Sequence, residues 1–242
     1  MLTKTSAIVL HSFKYGESRL IIDLFTREQG RLSFIVNIPK TSHGRLKKQL
    51  FQPLSIIDVE CDLRPHVQLH KLRDARMLYP YGTIPVDPVK LAVALFLAEF
   101  LYHALRGERQ ADQPLFDYMT NSFRWLDTAT TGIANFHLVF LIHLSRFLGI
   151  GLSREGLGEA PYFDLREGTF CDVPPMHTDF LQPQEAARIS TLLRMDFATM
   201  HLFRFTRAER NRCLEVMLTY YRLHVPDFPE LKSLPVLQQL FD

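Results

Sequence analysis

For its first eighty residues the chain alternates apolar and polar positions between clusters of turn-forming residues. Five strands are predicted: AIVLHSFKY (7–15), RLIIDLFT (19–26), RLSFIVNI (31–38), LSIIDVECDL (54–63) and VQLHKLRDARM (67–77). In the second, Leu20, Ile22 and Leu24 face one way and Arg19 and Asp23 the other. In the third, Leu32, Phe34, Val36 and Ile38 face in while Arg31 and Ser33 face out. REQG (27–30) reads as the hairpin turn between them. Five strands at this spacing suit a small barrel of the OB type, whose third connection is a surface helix or loop.

Past YPYGTIPVDP (79–88) the period becomes helical. Asp87 is placed to cap a helix that starts at Pro88 and stops at Gly107. Further helices are predicted over 114–129, over 135–149 and from 183 to 195. A last one opens at Thr206, which has capping-box spacing to Glu209. Residues 152–182 are irregular, with a short hairpin around Glu167 and Gly168. The proline-punctuated but apolar tail is expected to pack back. The predicted class is α+β: an OB-type barrel domain over 1–80, then a mainly helical domain over 81–242 with a hairpin insertion at 152–182.

Composition changes this picture little. With 47% hydrophobic and 22% charged residues, the 242-residue chain is that of an ordinary folded protein. Three scattered cysteines, Cys61, Cys171 and Cys213, argue for a reducing compartment. The apolar runs Ala7–Leu10 and 91–98 are too short for a signal-peptide core or a bilayer span, so a cytoplasmic location is expected.

Charge changes it more. Residues 1–80 hold 13 Lys and Arg against 7 Asp and Glu, net +6, and the remainder is net −4. Within that basic third, NIPKTSHGRLKKQLFQP (37–53) carries Lys40, Arg45, Lys47 and Lys48 without an acid. Lys14, Arg19, Arg27 and Arg31 lie on neighbouring strands or turns. A barrel with a basic face and exposed rings is a platform for single-stranded nucleic acid, since phosphates need cations and bases need flat surfaces. Phe13, Tyr15 and Phe25 are the candidate stacking rings, although most barrel aromatics belong to the core.

Other chemistry is poorly supported. His66 and His70 have no nearby Cys or carboxylate to complete a set, and Cys171, His177 and Asp179 offer only a lone Cys with one His, so neither a metal nor any other cofactor is expected. No phosphate-binding glycine loop, nucleophile elbow or HExxH is found, and His103, His137, His143 and His201 fall beside apolar residues on predicted helices. The chain therefore reads as a non-enzyme. An alternative is an adaptor without a DNA role, whose helical part grips an acidic peptide through Arg124 or Arg146; either arginine could equally be a solvated edge residue.

The order of these features resembles the RecO family, the bacterial recombination mediators. AIVLHSFKYGESRLIIDLFTREQGRL resembles the family's opening, with Glu17, Thr26 and Gly30 in place. GRLKKQLFQPLSIIDVE resembles its basic connection, and LSRFLGIGL the end of its central helix. The resemblance implies a non-enzymatic repair protein of the bacterial cytoplasm, associated with the nucleoid during repair. Such a protein binds single- and double-stranded DNA and anneals complementary strands. It works with RecR to load RecA onto DNA coated by single-stranded-DNA-binding protein, whose acidic tail its helical domain receives. Two departures stand out. Where many members carry a four-cysteine zinc module, this chain has APYFDLREGTFCDVPP, so no zinc is expected and Tyr162, Phe163 and Phe170 should hold the hairpin by packing. Ile38 and Pro39 stand where the family tends to have glycine.

Overall fold

The computed structural model describes residues 2–38, 46–64 and 67–240. They fall into two packing units: residues up to Thr128 together with Leu231–Leu237, and Ala129–Glu230 with the C-terminal end.

In the first unit, β1 (Leu2–Tyr15), β2 (Arg19–Thr26), β3 (Gly30–Asn37), β4 (Ile56–Asp62) and β5 (Leu69–Tyr79) close into a barrel in the order β1-β2-β3-β5-β4. Pairings are antiparallel except β3 with β5. This is the expected OB-type barrel. β1 is long enough to pair with β4 along its first half and β2 along its second, and a bulge between Val9 and His11 bends it from one to the other. The alternation predicted for β2 and β3 is realised: Leu20, Ile22, Leu24, Phe34 and Val36 fill the barrel with Val9, Phe51 and Ile57, and Leu32 and Ile38 pack against them.

The change to helical sequence near residue 80 lies inside this unit, which also contains α1 (Pro88–Ala104) and α2 (Gln113–Thr128). Asp87 caps α1 as expected, accepting from the N–H groups of Val89 and Lys90. α1 packs along β1, on whose outer side Ile8 and its cross-strand partner Phe25 are fully buried. The turn between α1 and α2 is seated on the barrel: the Arg31 N–H donates to the Glu108 carbonyl at 2.8 Å. Gly30 (φ +67°) comes so close to this turn that a Cβ there would lie 2.3 Å from the Gln110 carbonyl oxygen. The tail packs back onto α1, where the Glu99 carboxylate accepts from the N–H groups of Lys232 and Ser233 at 2.9 and 2.8 Å.

The second unit contains α3 (Phe136–Phe147), α4 (Pro183–Leu193) and α5 (Arg207–His224), the last opened by the Thr206–Glu209 capping box. The hairpin at 152–182 is β6 (Tyr162–Asp164) with β7 (Thr169–Cys171), and a third strand, β8 (Phe180–Leu181), pairs with the free side of β6. Phe163 and Phe170 meet edge to face at 4.8 Å, and Tyr162 meets Phe180 at 6.0 Å. Aromatic packing therefore holds this sheet.

Candidate nucleic-acid interface

The β1–β2 hairpin and the two ends of the basic third connection share one end of the barrel. The Ile38 N–H donates to the Ser18 carbonyl at 2.7 Å, tying the exit of β3 to the hairpin. At the other end of the connection the Ser12 hydroxyl donates to the Phe51 carbonyl at 2.9 Å. Phe51, in the 3-10 turn Lys48–Phe51, is buried in the core, and Leu46 and Leu50 pack against that core. Lys47 and Lys48 sit between these apolar anchors and are exposed. The anchoring fixes where two cations emerge without neutralising them.

Lys14 and Arg19 project from the hairpin, both exposed, with the Arg19 guanidinium 5.2 Å from the centre of the Tyr15 ring. Phe13 and Tyr15 are 42% and 48% exposed. Lys14, Arg19, Lys47 and Lys48 have no ion-pair partner among the described residues, although the hairpin also carries Glu17. Lys40 and Arg45 lie outside the described residues, as does His66.

Three of the expected interface residues are placed otherwise. Phe25 is 0% exposed, because the outer face of β2 at that level is covered, and its ring has no surface to offer a base. The Arg31 side chain, 12% exposed, donates to the Tyr102 carbonyl at 2.5 Å, lies over the Tyr102 ring at 4.5 Å and approaches Asp23 at 3.8 Å. Arg27 pairs with Asp117 of α2 at 3.1 Å. Both arginines tie barrel to helix.

Lys4 of β1 and Arg73 and Arg76 of β5 are also matched, each by a carboxylate of β4. Lys4 pairs with Glu60 at 2.6 Å, Arg73 with Asp62 at 3.3 Å and Arg76 with Asp58 at 2.9 Å. A cleft of about 370 Å³ there is lined by Glu28, Asp58, Glu60 and Asp74 beside Lys4 and Arg76, a poor surface for a polyanion. The hairpin and the connection thus carry a cluster of cations unmatched among the described residues.

Strand register adds residues that the alternation argument passed over. Phe13 is opposite Ile21, Ile21 opposite Ile35, and Ile35 opposite Lys71, making one outward row across four strands. Ile21 and Ile35 are half-buried and Lys71 is exposed. Two isoleucines at outward parity were the available signal, since a solvated face would carry polar residues there. Apolar and aromatic side chains in a row that ends on a cation can seat bases and phosphates together.

Arg124 belongs to the first unit and Arg146 to the second. Arg124 is half-buried, stacks over Tyr79 at 5.0 Å and has a buried Nε without a hydrogen-bond partner; Arg146 is exposed. All three cysteines are free, with burial pushing the Cys61 thiol up to about 11 and that of Cys213 up to about 12. Among the described residues no three His, Cys, Asp or Glu side chains converge as a metal set, and no helix is long and apolar enough to cross a membrane.

If Phe13 and Tyr15 stack on bases, changing both to Ala leaves the thermal melting curve in place and weakens single-strand binding tenfold or more, at about 1–3 kcal/mol per stacked base. Fluorescence anisotropy with an oligo-dT strand measures this, and unchanged affinity rules the rings out.

Two family models together span nearly the whole chain: "Recombination protein O N terminal" matches residues 1–81 and "Recombination protein O C terminal" residues 85–235. Among curated relatives, the DNA repair protein RecO of Phocaeicola vulgatus is 51% identical over 241 residues, and that of Bacteroides fragilis 49% over 243. The DNA repair protein RecO of Christiangramia forsetii is 34% identical over 243 residues. Each alignment covers 100% of both chains.

Proposed function

Because the chain belongs to the recombination protein O family, we propose that it is a non-enzymatic mediator of DNA repair and recombination that binds DNA through the hairpin end of its barrel. The observation that carries this reading is that Lys14, Arg19, Lys47 and Lys48, with no ion-pair partner among the described residues, share the hairpin end of the barrel with two exposed rings. Phosphates replace counterions on these cations, so binding is strong at low salt, steeply salt-dependent and almost blind to sequence. Lys40 and Arg45, on the same connection, add to this charge.

Single- and double-stranded DNA both present phosphates to such a surface. Annealing follows when two screened strands are held close with base edges free to pair, which needs no nucleotide hydrolysis. In the cell this activity works with RecR to load RecA onto DNA coated with single-stranded-DNA-binding protein. Arg124 or, separately, Arg146 is the cation proposed for that protein's acidic tail.

Annealing is the direct test. Complementary oligonucleotides, one with a fluorophore and the other with a quencher, should pair at least tenfold faster with the protein than without it, in the absence of nucleotide. Pairing at the spontaneous rate would remove the annealing function.

A further inference from the structure

Beyond the hairpin end, the first packing unit contains a second basic recess. β3, the start of β5 and the turn between α1 and α2 enclose about 510 Å³, lined by three arginines, Arg31, Arg106 and Arg109, with Ser33, Gln68 and His70 among the other walls. No carboxylate is among its described lining residues. Glu108 and Asp112 of the same turn line a separate cavity. Asp23 approaches the inner arginine, Arg31, at 3.8 Å. Arg106 and Arg109 are exposed and pair with no carboxylate among the described residues; the Arg106 guanidinium lies 3.3 Å from Nδ1 of His103. Burial holds both His70 and His103 below the usual imidazole range, so near neutral pH the three guanidinium groups set the charge of the recess.

The position of these arginines is built in. The Arg31 N–H to Glu108 carbonyl bond and the approach of Gly30 to Gln110 press the turn onto the barrel, and the Arg31 guanidinium is fixed by Tyr102. The recess is also in line with the outward row. Arg31, Ser33, Ile35 and Asn37 share one parity on β3, Ile35 lies beside Lys71, and Asn37 lies opposite Arg19 of the hairpin. From Arg31 to Asn37 is about 20 Å along the strand.

We propose that this recess takes a nucleotide of the same DNA strand that binds at the hairpin, with Arg106 and Arg109 on its phosphates. The volume is that of a small-ligand site, and the guanidinium fork matches phosphate oxygens. Leu32 and Val67 provide an apolar wall for a base. An acidic peptide would also satisfy the arginines, but continuity with the row through Ile35 and Lys71 favours a strand. The inference rests on the function proposed above and extends its site across the barrel.

The test is anisotropy of a labelled oligo-dT of about 16 nucleotides, the upper end of OB-fold site sizes, titrated over a range of salt. It compares native protein, R106Q/R109Q and, as a charge-matched control on β5, R73Q/R76Q, each checked by thermal melting. R106Q/R109Q should bind about tenfold more weakly, with a log–log salt slope shallower by about 1.4, the share of two single-strand phosphate contacts. R73Q/R76Q should follow the native protein. If R106Q/R109Q matches the native protein or the control, the recess is not on the strand path, whether or not it loses affinity for an oligoglutamate peptide. Binding that survives R106Q/R109Q but not K14E/R19E/K47E/K48E overturns this inference alone. A native protein that binds no strand overturns the proposed function with it.

Discussion

Asp127→Ala should lower the stability of the first packing unit by about 4 kcal/mol, as expected when three hydrogen bonds to a buried carboxylate are lost at about 1.5 kcal/mol or more each. Asp127, 4% exposed at the end of α2, closes the loop between β5 and α1. Its carboxylate accepts from the N–H groups of Gly82, Thr83 and Ile84 at 3.0, 2.8 and 3.0 Å, and from the Tyr79 hydroxyl at 3.3 Å. The buried Lys90 ammonium donates to the Asp127 carbonyl at 2.9 Å and the Thr83 hydroxyl at 2.7 Å. Alanine would remove the acceptor of the Gly82, Thr83 and Ile84 N–H groups and of the Tyr79 hydroxyl. Burial by itself would raise the Asp127 carboxyl, but the N–H groups of Gly82, Ile84 and Thr83 outweigh it and hold the group below its usual range. Its contribution is therefore complete above the unfolded-state value of about 3.9 and is lost as pH falls through the lower folded value. Trp125, the chain's single tryptophan, lies two residues away and reports urea unfolding of this unit by fluorescence. A loss under about 1 kcal/mol, or acid sensitivity equal to the native protein's, would show that the loop is held by other contacts.

The second large effect concerns binding. Reversing Lys14, Arg19, Lys47 and Lys48 to Glu should weaken single-strand affinity a hundredfold or more at low salt while leaving the melting temperature close to native. All four side chains are exposed, and none has an ion-pair partner among the described residues. Their removal therefore breaks no ion pair among the described residues, and surface substitutions of this kind are usually within ±0.5 kcal/mol each. The effect on DNA is large because each contact releases a condensed counterion and because the new carboxylates repel phosphate. A gross loss of folded protein would instead mean that Lys47 or Lys48 helps seat the connection on the barrel.

The barrel and helices were legible from hydrophobic period alone, because β2, β3 and the capped starts at Asp87 and Thr206 obey local rules that tertiary contacts leave intact. β8 was not, since two residues carry no period. Phe25, Arg27 and Arg31 were misplaced for a common reason. Outward parity on a strand means solvent only if nothing packs there, and the grouping of α1 and α2 with the barrel depends on contacts far apart in sequence. Lys71 is far in sequence from Arg106 and Arg109, and only strand register and the seating of the α1–α2 turn bring them onto one surface, so none of the three stood out in the sequence. Phe13, Lys14, Tyr15 and Arg19 were legible because a hairpin places its neighbours in sequence together in space.

The central claim is that DNA phosphates are held by the cations of the hairpin and the third connection. It is tested most directly by the salt dependence of single-strand binding for the native protein and the K14E/R19E/K47E/K48E variant. The account predicts a native log–log slope steeper than the variant's by about 2.8, the share of four single-strand contacts. Parallel lines of equal affinity would contradict it and move the DNA off this end of the barrel.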